Sequence, residues 1–300
     1  MDDYYDNFNR GKKLQTQALR ARRSVLYMPA SNAKAIEKAK TINADCLIFD
    51  LEDAVAPEMK GDARVILLGA LQTGGFGNRE LIIRTNTIDS IWFDDDINLV
   101  LESKAHAVLI PKTSTVADIA SVDTLICAKN RGVSIDLWAM VETPLAIVNL
   151  NDICAASNIF PLKALVVGTN DLAKETGASL DVMRAPFQYA LSKCVIAARA
   201  YGLVVIDGVF NNIEDEAGFE KQCFQAKQFG FDGKTLIHPN QIEICNQIFS
   251  PSQEEIAAAK QIIAAFGLNE NKGKAVISLN GQMFELLHLE AAIKTIAAAH

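Results

Sequence analysis

A (β/α)8 barrel, an α/β TIM-barrel fold, with a small C-terminal helix–hairpin–helix flap is what the sequence predicts, on three observations. Eight short apolar runs alternate with helix-like stretches. Each run is nearly continuous in apolar residues rather than alternating, as parallel strands covered on both faces require. Regular β-then-α order implies right-handed crossovers and a parallel sheet, and eight such units fit a closed barrel. An open doubly wound sheet is expected to carry a glycine-rich turn after its first strand. Here that turn is Pro29-Ala30-Ser31-Asn32, without glycine. The cluster Gly74-Gly75-Phe76-Gly77 precedes a strand instead of opening a helix, so it reads as a loop.

The elements follow in order. The first strand, 24–30, ends at Ser31-Asn32, which start a helix running to Ile42. Strand 44–50 leads to helix 60–71, strand 80–86 to helix 89–101, strand 107–112 to helix 116–129, and strand 134–143 to helix 145–155. Strands 162–168, 203–207 and 233–238 complete the barrel, with helices 186–200, 214–229 and 240–249. Ser250-Pro251-Ser252 opens a further helix to Ala265. Runs 275–279 and 282–287 flank Asn280-Gly281, a strong hairpin-turn dipeptide, and 289–299 is the last helix. The polar stretch 267–274 reads as a linker. The expected division is therefore an N-terminal extension at 1–22, the barrel with its following helix at 23–266, and the flap at 267–300.

Composition bounds the function. The formal charge of −7 argues against a nucleic-acid surface, which needs a basic footprint. No apolar run approaches a membrane span, and no apolar stretch precedes the first strand as in a secretory signal. The 6 cysteines lie in apolar patterns with no CxxC pair, so they are expected to be buried, reduced thiols of a cytoplasmic protein.

Chemistry in such a barrel sits at the carboxyl ends of the strands. Those ends carry Glu52, Asp53, Arg84, Lys112, Glu142, Asp171, Asp207 and His238. The opposite ends begin at Ser24, Ala44, Glu80, Ala107, Ser134, Leu162, Leu203 and Gly233. That asymmetry points to an enzyme. Val141-Glu142-Thr143-Pro144 and, one unit later, Gly168 to Ala173 are the sharpest signals, because each places one carboxylate where a strand becomes a loop. Taken singly, Glu142 caps a helix and Asp171 terminates a strand. As a pair in successive units they form a metal site, since Mg²⁺ is held by one or two carboxylates plus waters and substrate oxygens. Acids, a metal and one arginine suit polarising a carbonyl and stabilising an enolate. His238, before Pro239, reads as a loop hydrogen-bond partner ahead of a general base. Lys112 reads as an ion-pair partner of Glu142 or Asp207. A Schiff-base role is rejected, because nearby acids raise the pKa that it would need lowered.

Several motifs, in order, carry a resemblance. Arg22-Arg23-Ser24-Val25-Leu26-Tyr27-Met28-Pro29 comes first. Phe49-Asp50-Leu51-Glu52-Asp53-Ala54-Val55 follows, with Lys60 and Ala63-Arg64. Arg84-Thr85-Asn86, Ile110-Pro111-Lys112, Glu142-Thr143-Pro144, Gly168 to Leu172, Ile206-Asp207-Gly208, and Gly233-Lys234 with Ile237-His238-Pro239 complete the series. From Arg22 to the C-terminus the chain resembles the citrate lyase beta-subunit-like group of carbon–carbon lyases, related to malyl-CoA lyases and malyl-CoA thioesterases, in the HpcH/HpaI aldolase superfamily. It departs from the pattern at Ala30, where the group has glycine, and at Thr235, where an aromatic is common. In the flap, Asn280-Gly281-Gln282-Met283-Phe284-Glu285 stands where the group carries Asp-Gly-x-Met-Ile-Asp. Glu285 keeps the carboxylate on a side chain longer by roughly 1.5 Å.

The resemblance implies Mg²⁺ on Glu142 and Asp171, with Glu142 also facing substrate, and Arg84 binding the oxygen that becomes the enolate. It implies Glu285 as the acid/base, entering a neighbouring subunit's site, with Asp53 and Asp207 the first barrel residues to supply the proton otherwise. Lys112 joins the substrate-binding set. Arg23, with Arg20 and Arg22, either meets CoA phosphates or forms a solvated basic turn. The implied substrates are malyl-, citramalyl- or citryl-type thioesters, on CoA or on an acyl carrier protein, cleaved to an acetyl-type thioester and a 2-keto acid. The implied assembly is a homo-oligomer, a trimer or hexamer. Two other functions stand beside this one: metal-dependent aldol cleavage of a free keto acid without CoA, and a non-catalytic subunit of a larger assembly.

Overall fold

The computed structural model describes residues 20–129, 132 and 134–299. Apart from Arg20, Ala21 and Arg22, the expected extension at 1–22 lies outside the described residues. Strands β1 (Ser24–Pro29), β2 (Cys46–Asp50), β3 (Glu80–Arg84), β4 (Ala107–Ile110), β5 (Asp136–Val141), β6 (Leu162–Val167), β7 (Val204–Asp207) and β8 (Gly233–Leu236) are paired in sequence order as a closed barrel. All pairs are parallel, and β8 returns to β1 with Val25 opposite Thr235. The predicted (β/α)8 fold is what forms.

Side chains alternate along each strand, so every strand feeds two layers. Val25, Ile48, Ile82, Leu109, Trp138 and Val166 fill the barrel interior. Leu26, Phe49, Ile83, Leu137, Leu165 and Leu236 point the other way and pack under the helices. Continuing the interior parity to the carboxyl ends gives Tyr27, Asp50, Arg84, Glu142 and Gly168. This parity decides which charges can meet.

Two helical readings change. The helix expected at 145–155 is two, Pro144–Val148 and Leu150–Ala155, because Asn149 leaves helical geometry at ψ 9°. A short helix not expected from sequence, Thr169–Thr176, starts directly after Gly168 and ends at Gly177, whose φ of 71° is left-handed. Asp171 therefore lies in the first turn of a helix rather than at a strand terminus. Five of the cysteines are buried and free as expected, but Cys127 is exposed. No helix among the described residues is long and apolar enough to cross a membrane.

The chain divides into two compact units, one spanning Arg22–Phe249 and the other including Ser250–His300. Helix Gln253–Phe266, read from sequence as the tail of the barrel, thus groups with the C-terminal unit. Ser252 and Glu255 form its capping box. Strands Val276–Leu279 and Gln282–Glu285 pair antiparallel across Asn280-Gly281, whose positive φ angles of 53° and 79° match the turn that the sequence predicted. Helix Leu286–Ala298 ends the fold. Ile277 is buried there, whereas Met283 is 76% and Leu287 58% exposed.

Candidate active site

Asp50 and Arg84 are the last residues of β2 and β3 and stand directly opposite in the ladder. Their inward parity brings the side chains together as a fork. Arg84 Nε donates to Asp50 Oδ1 at 2.7 Å and Nη2 to Oδ2 at 2.6 Å. Asp50 is itself fixed by the backbone N–H groups of Glu52 (2.8 Å) and Ala54 (3.0 Å). Such a bidentate pair leaves the guanidinium one orientation. Nη1 then faces the mouth, 3.0 Å from Glu52 Oε2 and 3.5 Å from Asp53 Oδ2. Sequence reasoning missed Asp50, having taken the acids just beyond β2. Its parity with Cys46 and Ile48 was the available signal.

The loop after β2 is tied down from outside the barrel. Lys60 Nζ donates to the carbonyls of Leu51 (2.6 Å) and Glu52 (2.7 Å). The loop after β3 is held by Asp96, which accepts from Asn86 Nδ2 at 2.7 Å and Arg64 Nη1 at 3.0 Å. These contacts account for three residues of the sequence motifs that do not face the cavity.

Glu142, next after β5, is 1% exposed. Its Oε1 accepts from the backbone N–H of Lys112 at 2.7 Å, while Oε2 is buried without a hydrogen-bond partner among the described residues. Lys112 adopts a left-handed conformation, φ 51°. Its ammonium lies 3.6 Å from Glu52 Oε1, so it serves Glu52 by its side chain and Glu142 by its backbone. Gly168 leaves the room that Glu142 occupies. A Cβ at 168 would stand 2.5 Å from Glu142 Cβ, 2.5 Å from its Oε2 and 2.9 Å from Met140 Cε. Gly168→Ala is therefore expected to displace Glu142 and to cost about 1–3 kcal/mol, the usual range for overpacking. Urea melts of the two proteins test it, and equal midpoints would mean that the carboxylate moves freely.

The electrostatics favour a cation here. Burial first, then Glu52 and Asp171, push the Glu142 carboxyl up to about 8. Burial likewise pushes Glu52 up to about 7 against the pull of Arg84. Neither Glu52 oxygen makes a hydrogen bond of good geometry. Acidic groups crowded with an orphaned buried oxygen fit a divalent ion, which would ionise and satisfy them. No cluster of three or more potential ligands occurs among the described residues. Glu142 and Asp171 are the two carboxylates that sequence reasoning paired, and two carboxylates completed by water and ligand oxygens would suit Mg²⁺. Asp171 lines a cavity of about 380 Å³ together with Tyr27, Asp50, Asp53, Arg84 and Gly168.

Two predicted site residues, Arg23 and Asp207, are placed elsewhere in the barrel unit. Arg23 precedes β1 at the amino-terminal mouth, where Nε and Nη2 each bond Asp45 at 2.8 Å. At about 3.3 Å per residue this is roughly 20 Å from the carboxyl end of the strand, and Arg22 is likewise held by Glu80 at 2.6 Å. Both guanidiniums are thus engaged by carboxylates at the end of the barrel opposite Arg84. Asp207 has the outward parity of Val205. It sits between barrel and helices, 2.6 Å from Arg184 Nη1 and 2.7 Å from Lys234 Nζ. Burial alone would raise its carboxyl, but Lys234 and Arg184 overcome that and hold it below the usual range, which removes it as a proton donor. Lys112 pairs with Glu52 rather than Asp207. His238 accepts from the N–H of Asn240 at 3.2 Å, the loop role expected of it. Glu285 belongs to the C-terminal unit, where it is exposed and N-caps the last helix in a reciprocal pair with His288.

Residues 23–239 match the model of the family described as HpcH/HpaI aldolase/citrate lyase. A protein named (3S)-malyl-CoA thioesterase from Cereibacter sphaeroides is 45% identical over 277 residues, covering 92% of this chain and 94% of its own length. The citrate lyase subunit beta of Escherichia coli is 34% identical over 278 residues, 91% of each chain. The solved structure of CitE from Mycobacterium tuberculosis in complex with magnesium, acetoacetate and coenzyme A superposes with a TM-score of 0.75 at 25% identity. It covers 94% of this chain and 99% of that one.

Proposed function

The chain belongs to the HpcH/HpaI aldolase/citrate lyase family, and from that premise we propose that it is a Mg²⁺-dependent carbon–carbon lyase or thioesterase. Its substrate would be a 3-hydroxyacyl-CoA thioester of the malyl, citramalyl or citryl type; as a lyase it would yield an acetyl-type thioester and a 2-keto acid, and as a thioesterase the free hydroxy acid and CoA. The observation that carries this reading is the juxtaposition of Arg84, locked by Asp50 with Nη1 turned to the mouth, and Glu142 with its orphaned Oε2. The thioesterase and citrate lyase names of the relatives, and the magnesium and coenzyme A of the solved structure, support it.

Glu142 and Asp171 would hold the metal. When bound, Mg²⁺ supplies Lewis-acid polarisation of the keto-acid oxygens. Arg84 offers a fixed cationic donor to the thioester carbonyl, and preorganisation matters because charge develops on that oxygen as the carbon–carbon bond breaks. Lys112 fixes Glu142 through its backbone and neutralises Glu52. Asp53, exposed at the rim, is close enough to Arg84 to accept a proton near the same oxygen.

Glu285 is proposed as the main acid/base, delivered by a neighbouring subunit of a homotrimer or a hexamer. The exposure of Met283 and Leu287 gives the flap apolar surface for such an assembly. Glu285→Gln is expected to lower turnover about 10²-fold, the usual scale for a lost general acid or base, with Mg²⁺ affinity unchanged. Equal turnover would leave Glu285 as a helix cap and move the proton to Asp53.

The reading as a whole is tested by offering malyl-CoA and citramalyl-CoA with Mg²⁺ and with chelator. Mg²⁺-dependent consumption of the substrate is expected, with acetyl-CoA and a keto acid appearing for a lyase, or the free hydroxy acid and CoA thiol for a thioesterase. Cleavage of free keto acids alone would favour the CoA-independent aldolase, and inertness with every substrate would favour a non-catalytic subunit.

A further inference from the structure

Tyr27 lies on β1 with inward parity and lines the same cavity as Arg84. Its ring lies under the guanidinium, 5.0 Å from Arg84 Cζ. Among the described residues its hydroxyl has one polar contact, Met140 Sδ at 3.8 Å, and Arg84 Nη1 points to that same sulfur at 3.8 Å. A thioether is a weak acceptor, so the Tyr27 hydroxyl reaches this point of the cavity wall without a strong acceptor, beside Arg84 Nη1, which is itself 3.0 Å from Glu52 Oε2. Polar groups held this way in a largely buried site are matched to something that arrives.

We propose that the Tyr27 hydroxyl and Arg84 Nη1 form a two-donor oxyanion site, which binds the oxygen that gains charge when the substrate becomes an enolate. The inference rests on the lyase or thioesterase reading above. It adds to that reading a neutral donor and a geometry: the oxygen displaces neither partner of the Asp50–Arg84 fork and takes the position beside Met140 Sδ. No proton leaves Tyr27. Burial raises its phenol above the ordinary value, so it remains a donor throughout the working pH range. The ring also excludes water from one side of the guanidinium, which strengthens the bond Arg84 can give.

Tyr27→Phe tests this with the ring and the cavity shape kept. Turnover of malyl-CoA is expected to fall about 10²-fold through kcat, the scale for losing one oxyanion donor, with KM, Mg²⁺ affinity and thermal midpoint close to wild type. Binding of a CoA analogue that carries a carboxylate in place of the acetyl thioester, a planar mimic of the thioester enolate, is expected to weaken about 10-fold or more by calorimetry. Unchanged kcat and unchanged affinity for that analogue would overturn the proposal. So would a variant that loses Mg²⁺ affinity along with turnover, because the hydroxyl would then act through the carboxylates. If the wild type turns over no thioester, the functional reading fails while the comparison with the carboxylate analogue still decides Tyr27, and a wild type that binds no such analogue overturns both.

Discussion

Glu142→Gln is expected to abolish measurable Mg²⁺ binding and to reduce turnover by about 10³-fold, since a lost metal removes several kcal/mol of charge stabilisation. The substitution keeps size and keeps an acceptor for the Lys112 N–H, so the barrel should fold. What it removes is the charge on a group that is 1% exposed and whose Oε2 has no hydrogen-bond partner among the described residues. The wild type should also show a pH signature. Burial first, then Glu52 and Asp171, raise the Glu142 carboxyl from the ordinary 4.5 to about 8. A metal must displace that proton, so Mg²⁺ affinity should climb as pH rises toward 8, with protons released on binding at pH 7. The stability sign follows from the same shift. A carboxyl raised in the folded state contributes stability that is fully present below about 4.5 and is lost as pH rises through about 8. The metal-free protein should therefore weaken across that window, and Glu142→Gln should flatten part of the slope. Glu52, raised to about 7, keeps the remainder. Calorimetry in two buffers of different ionisation heat reads the proton release. Wild-type Mg²⁺ affinity in the Gln variant would remove Glu142 from the metal site.

Arg84→Lys is expected to cost about 10²-fold or more in kcat although the charge is kept. The guanidinium spends Nε and Nη2 on Asp50 and still presents Nη1 to the mouth. An ammonium is a point charge without that fork. It can pair with Asp50 or reach the substrate, but it cannot do both in one geometry. Asp50→Asn should act in the same direction by freeing the arginine to swing, with KM changing less than kcat. A lysine variant with near wild-type kcat would make Arg84 a structural partner of Asp50 and no more.

The fold was legible because each strand is a continuous apolar run and each crossover carries a helix, two signals that agree along the chain. The boundaries were less so. Residues 169–176 combine a glycine start, polar residues and a glycine stop, and on so short a stretch that pattern does not separate a helix from a loop. At the site, Glu142 and Arg84 were legible from position. Arg23 and Asp207 stand away from the cavity for different reasons. Arg23 stands at the wrong end of β1, and Asp207 is one residue out of the inward parity, so the period of two sends it to Lys234 under the helices. Asp50 was hidden by two more conspicuous acids just after it. The proposed active-site role of Glu285 depends on an association between subunits, which no single-chain pattern specifies.

Crystals soaked with Mg²⁺ and a 2-keto acid test the central claim most directly. Density for a cation touching both Glu142 and Asp171, with the keto acid on that cation and in the cavity lined by Arg84, is the predicted result. A cation bound elsewhere, or none at these two carboxylates while the keto acid is present, would contradict it.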